Sequence, residues 1–163
     1  MVIAAAIISS AALADESSIR SEIQLGFGGW TVQGDKIERI RKADGEEVIK
    51  VSGNVLLWTL DRGGKATVAS MDYLESSDST LVLKGYPVVA EGEQMITPSP
   101  YIKPEFSLTV KNGKITSHSG MELSSKLGET ERERIAALEQ RIEQRKKIVR
   151  SKLAEIIKNA QQD

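Results

Sequence analysis

The chain has no cysteine. That removes disulfides, thiolate nucleophiles and cysteine metal sites together, and lipid attachment through an N-terminal cysteine as well. Histidine occurs once, at His118, and a lone histidine without partners in reach reads as a surface or packed residue rather than a general base. There is no His-x-x-x-His pair and no Gly-x-Ser-x-Gly nucleophile elbow. The carboxylates Asp35, Asp72 and Glu75 are scattered over strand or turn positions and read as ordinary surface acids. With the acid, base and nucleophile roles unfilled, the expectation is a protein that is not an enzyme, with no cofactor and no metal. Neither sign of charge dominates, since 22 Lys+Arg face 23 Asp+Glu, which argues against a nucleic-acid partner. Aromatic residues make up only 4%, so much of any core is aliphatic. The 163 residues are enough for one domain with its own core.

What is present is organised around Val48 to Thr97. Apolar and polar residues alternate there, and Asp61-Arg62-Gly63-Gly64 and Ser76 to Ser79 break the runs as turns. Ile49, Val51, Val55 and Leu57 fall on one face of a strand, with Lys50, Ser52 and Asn54 on the other. Gly53 sits in the middle, where a glycine marks a bend or bulge. Leu81 and Leu83, then Gly85, then Val88 and Val89 repeat the plan. Two bent runs with a similar kink predict a repeating unit of a curved all-β wall. Leu56, Trp58 and Leu60 make the end of the first run apolar on its other face too. Either another element covers them or a partner or ligand does, and cover is the expectation.

Before this block, Met1 to Ala14 is a short apolar run ending Ala12-Leu13-Ala14, the small-residue pattern of a secretory cleavage site. It is shorter than the roughly 20 residues that span a bilayer, and no Lys or Arg precedes it. The expectation is a signal peptide over 1–14, cleaved after Ala14, and a periplasmic mature chain; a structural N-terminal segment is the alternative. Ile19, Ile23, Leu25 and Phe27 have strand spacing. Gly26, Gly28 and Gly29 allow a sharp turn before Trp30, and TVQGDKIERIRK reads as extended, without the helix and Gly-Lys-Ser/Thr ending of a phosphate loop. Ala43-Asp44-Gly45-Glu46 and, later, Asn112-Gly113 are hairpin turns. The prolines of Thr97 to Pro104 exclude a central strand.

From Thr130 the period changes to that of a helix. Thr130 to Glu133 fits a capping box, and Ile135, Leu138, Ile142, Val149, Leu153 and Ile156 recur at helical spacing. About 30 residues of helix would run about 45 Å. The apolar stripe is narrow and is interrupted near Arg145 and Lys146, which suits one-sided packing or a coiled-coil seam. Arg141, Arg145, Lys146, Lys147 and Arg150, with Lys152, make a basic surface, read either as a solvated face or as a contact for anionic headgroups or phosphates. The organisation expected is a β domain over 15–121 and a C-terminal amphipathic helix over 122–163.

Gly34-Asp35-Lys36-Ile37, Val51-Ser52-Gly53-Asn54-Val55, Ala69-Ser70-Met71-Asp72-Tyr73 and Leu81-Val82-Leu83-Lys84-Gly85 together resemble the OstA-like (LptA-like) proteins of lipopolysaccharide transport over about Trp30–Thr97. The second Gly-Asn-Val of that pattern is here Gly85-Tyr86-Pro87-Val88, the β block is short, and the helix lies outside the family's core pattern. The resemblance implies a mainly β fold, a bent antiparallel β-jellyroll followed here by the long helix. It also implies a groove holding lipid or lipopolysaccharide acyl chains, envelope transport proteins as partners, and head-to-tail homo-oligomers. Strand phase and resemblance together make Val51, Val55, Leu57, Leu81 and Leu83 the groove-lining residues. A wall so poor in large aromatics is expected to leave its interior incompletely filled. The function expected is a non-enzymatic periplasmic lipid-binding or lipopolysaccharide-transport module. The alternative is a structural or assembly protein of the cell envelope, working through β edges and the helix.

Overall fold

The computed structural model describes residues 20–100, 107–112, 114–119 and 129–162. The expected signal segment and its cleavage site lie outside the described residues, as do residues 101–106 with Pro104. The strands are β1 (Ser21–Gln24), β2 (Thr31–Gly34), β3 (Lys36–Arg41), β4 (Glu47–Leu60), β5 (Ala66–Ser77), β6 (Thr80–Lys84), β7 (Val88–Glu91), β8 (Gln94–Ile96), β9 (Ser107–Lys111) and β10 (Lys114–Ser119). One helix, α1 (Glu129–Gln162), follows. Among the described residues the fold is mainly β with a single long C-terminal helix.

All the strands belong to one antiparallel sheet, and the two long strands β4 and β5 pair along almost their whole length. Each carries different neighbours on its two halves. The first half of β4 pairs with β3 and its second half with β2. The first half of β5 pairs with β7 and its second half with β6. Two half-sheets result, β3-β4-β5-β6-β9-β10 and β1-β2-β4-β5-β7-β8, sharing the long pair. The sheet folds along the line where the neighbours change.

That line is made of four short sequences, and the alternation of apolar residues breaks at each. β2 passes to β3 through Gly34-Asp35, and the β4–β5 register shifts between Ser52 and Val55, around Gly53-Asn54. On β5 the inward side chains are Ala69 and Met71 before Asp72 but Leu74 after it, so the phase slips by one. β6 stops and β7 starts across Gly85-Tyr86-Pro87, so the third run of the sequence is two strands rather than one bent strand. A β-bulge of this kind bends and twists the strand that carries it.

The concave side of the fold holds the main core, which includes Val32, Val51, Val55, Leu57, Met71, Leu74, Leu81, Leu83 and Tyr86. α1 lies across the convex side of the second half-sheet. There Ile142 and Val149 join Leu56, Val68, Val88 and Ala90 in a second cluster, with Trp58, Met95, Leu153 and Ile156 at its margin. The doubly apolar end of β4 is therefore covered by the helix at Leu56 and Trp58, while Leu60 stays exposed. At 34 residues the helix is about 51 Å long. Its described part begins at Glu129, and the residues just before it lie outside the described residues. Glu129 and Glu131 place negative charge at the positive end of the helix dipole.

Candidate functional site

Val51, Val55 and Leu57 come from β4 and Leu81 and Leu83 from β6, and all point into the concave side, each at most 1% exposed. The strand phase read from the sequence is the observed one, and the fold brings the five into one cluster. That cluster is closely filled. Trp30, Met71, Tyr86 and, from the helix, Leu138 belong to the same cluster. The slot remaining between Leu57, Ala69 and Val89 on one side and Leu83, Val110 and Ile115 on the other is about 30 Å³. A water takes about that volume in the liquid. The interior is thus better filled than the small number of aromatic residues suggested, because two of them, Trp30 and Tyr86, both point inward.

The slot widens at one end. A recess of about 450 Å³ is bordered by Phe27, Trp30, Thr59, Asp61, Lys65, Thr67 and Glu91 from the second half-sheet and by Ser79, Asn112 and Lys114 from the first. Trp30, Thr67 and Glu91 line both spaces and form the neck between them. The turn before β2 positions Trp30: Leu25 N–H donates to the Trp30 carbonyl at 2.8 Å, and Thr59 Oγ1 donates to the carbonyls of Gly28 and Gly29 at 3.1 and 3.2 Å. At the rim, Lys65 Nζ meets Glu91 Oε1 at 2.6 Å, and Lys65 N–H donates to Asp61 Oδ1 at 2.8 Å. None of these rim and neck residues was singled out as a site from the sequence. The glycine cluster before Trp30 was the available signal, since a turn that tight aims the next side chain.

The basic surface expected on the helix is different in kind from what the fold builds. Arg145 is not a surface residue. It is 6% exposed and lies in the line of the fold, where it donates to the Gly85 carbonyl, to the Tyr86 carbonyl at 2.7 Å and to Asp72 Oδ1. Burial lowers its pKa, and the Asp72 carboxylate opposes that shift; a guanidinium stays charged regardless. Arg141 Nη1 reaches the same carboxylate at 3.3 Å. Lys146 pairs with Glu143 at 2.5 Å, and this contact holds the Glu143 pKa below the usual carboxylate value. Lys147 and Arg150 are exposed. The five cations therefore do not form one free patch, and the break in the apolar stripe is the point where the helix meets Asp72.

Among the described residues no group of three His, Cys, Asp or Glu side chains could hold a metal ion. No described helix is long and apolar enough to cross a membrane. The fold and site define a folded antiparallel β trough, closed along its inside, open at one end and backed by a helix. Comparisons of the chain with protein-family models, with curated proteins and with solved structures give no match.

Proposed function

We propose that the protein is a non-enzymatic lipid-binding module of the cell envelope, working in the periplasm and taking an acyl chain at the open end of its trough. The observation that carries this reading is the recess of about 450 Å³ joined through Trp30 and Thr67 to an aliphatic interior. Pockets of about 300–1,000 Å³ with apolar walls and a few polar groups at the rim suit ligands of small-molecule size. Each methylene removed from water contributes about 0.8 kcal/mol, so a partly inserted chain binds usefully without specific polar contacts. The sequence resemblance to lipopolysaccharide-transport proteins points the same way. In the closed form one chain end is accommodated, and a lipopolysaccharide with its several chains requires the half-sheets to part.

Photo-crosslinking tests the reading. Benzoylphenylalanine at Ile115, which borders the slot and is 38% exposed, should capture an acyl lipid when the exported protein is irradiated. Mass spectrometry of the intact chain should show the lipid mass. A chain that carries only self-adducts while membrane lipid is abundant would sink the proposal.

The filled interior favours a second reading, an envelope assembly protein without lipid cargo. β3 and β10 border one half-sheet, and β1 and β8 the other, and such edges can add a strand from a neighbour. β3 is the least suited of them, since Lys36, Glu38, Arg39 and Arg41 protect it with charge. If this reading holds, a chain ending before Glu129 should lose its partners or its oligomeric state.

A further inference from the structure

The recess carries more information than its size. Its charged lining consists of Asp61, Lys65, Glu91 and Lys114, two of each sign. Lys65 and Glu91 neutralise each other at 2.6 Å. Asp61 and Lys114 border the space from opposite half-sheets, Asp61 from the β4–β5 turn and Lys114 from the start of β10. Phe27 and Trp30 line the same space, and aromatic faces attract quaternary ammonium groups.

An anionic head meets as much negative as positive charge here, and so does a cationic head. A head bearing both charges can place its cation toward Asp61 and the two rings, and its anion toward Lys114. The recess of about 450 Å³ has room for one chain, and the slot beneath it, about 30 Å³, takes no more than the tip. We infer that the recess binds a single-chain amphiphile with a zwitterionic head, the head lying between Asp61 and Lys114 and the tail against Phe27, Trp30 and Thr67. This inference rests on the lipid-binding reading and adds the class of lipid to it.

Trp30 supplies the probe. The chain has two tryptophans, and Trp58 sits on the other side of the sheet under the helix. In a full-length Trp58→Phe variant, the emission reports the neck alone. Titration with dodecylphosphocholine, dodecyl sulfate and dodecyltrimethylammonium, each below its micelle concentration, should give saturable changes. The zwitterion should bind tightest by roughly fivefold, the size of one exposed charge pair. Lys114→Glu, at an exposed position, should move the preference toward dodecyltrimethylammonium.

Saturable binding in which dodecyl sulfate equals or exceeds the zwitterion would overturn the headgroup assignment and leave the lipid-binding reading standing. An unchanged preference in Lys114→Glu would overturn it too. No saturable response to any of the three amphiphiles would overturn both. Thr67→Phe, which narrows the neck, should weaken all three alike, and undiminished binding in that variant would move the tail out of the recess.

Discussion

The sheet turns the same corner twice, and the two corners are held differently. At the first, Asp35 faces Gly53-Asn54; at the second, Asp72 faces Gly85-Tyr86. Both glycines are left-handed, at φ 76° and 79°, and so are the residues that follow, Asn54 at 47° and Tyr86 at 55°. A Cβ on Gly53 would lie 2.6 Å from an Asp35 oxygen, and one on Gly85 would lie 2.5 Å from an Asp72 oxygen. The backbone path and the acid beside it are therefore repeated. What differs is the donor to the acid. Asn54 Nδ2 reaches Asp35 Oδ2 at 2.8 Å, within the sheet and in solvent. Tyr86 has no amide to offer, and its corner takes Arg145 from the helix. Asparagine tolerates the left-handed region by itself, whereas a bulky residue there needs support. Tyr86 has it from a buried ring, from Pro87, which disfavours right-handed helical geometry at the residue before it, and from Arg145. The first corner is self-sufficient; the second is completed by the helix, and that couples the helix to the shape of the trough.

The largest test of this asymmetry is Arg145→Leu. The substitution keeps helix propensity and bulk but leaves the Gly85 and Tyr86 carbonyls without this donor and Asp72 with only the longer contact to Arg141. Removing one partner of a fully buried pair costs about 3–5 kcal/mol. The Asp72 side chain is 45% exposed, so about 2–4 kcal/mol is expected here, measured by urea unfolding. A loss no greater than that of Asn54→Ala would remove the distinction between the corners.

Next come the glycines. An alanine in left-handed geometry costs about 1–2 kcal/mol, so Gly53→Ala should lose that much, since Asp35 is half-exposed and can move aside. Gly85→Ala should lose more, about 2–3 kcal/mol, because its Cβ would also sit 2.6 Å from the Cβ of Asp72, which Arg145 holds in place. Equal losses at the two sites would mean that Arg145 does not restrain Asp72. Asn54→Ala should cost about 1–2 kcal/mol, one hydrogen bond plus the unfavourable φ. Asn54→Gly, which relieves the φ, should recover part of that loss.

The repeat was legible in the sequence because its parts are local. Strand phase over Ile49 to Leu57 and over Leu81 to Val89 requires only alternation, and Gly53 and Gly85 mark the bends. This was enough to place Val51, Val55, Leu57, Leu81 and Leu83 on the inner face. Arg145 was misplaced because a cation within a basic run looks solvated. Its phase said otherwise, since it stands three residues after Ile142 and four before Val149, on the buried stripe. A charge in that phase requires a buried partner, and Gly85-Tyr86-Pro87, a Gly-Asn-Val pattern lacking its asparagine, was the place lacking a donor. Neither signal means much until topology brings residues 72, 85 and 145 together. The closed interior was not legible for a related reason. Composition counts aromatic residues, but only the fold shows that Trp30 and Tyr86 both point inward.

The mildest way to separate the corners lies further along the helix. Past Arg145, α1 is held by aliphatic contacts and by Lys152, whose ammonium sits 4.1 Å from the centre of the Trp58 ring and 3.1 Å from Glu155. Stacking of this kind contributes about 0.5–1 kcal/mol at a partly exposed site, so Lys152→Gln should cost no more than that. It should nevertheless change Trp58 emission, while Trp30, on the concave side, keeps its environment. Arg145→Leu should do the reverse in part. Tyr86 belongs to the same inner core as Trp30, and loosening the corner should reach Trp30 through that packing. If both substitutions disturb only Trp58, the helix is fixed to the convex face alone, and the second corner keeps its shape without it.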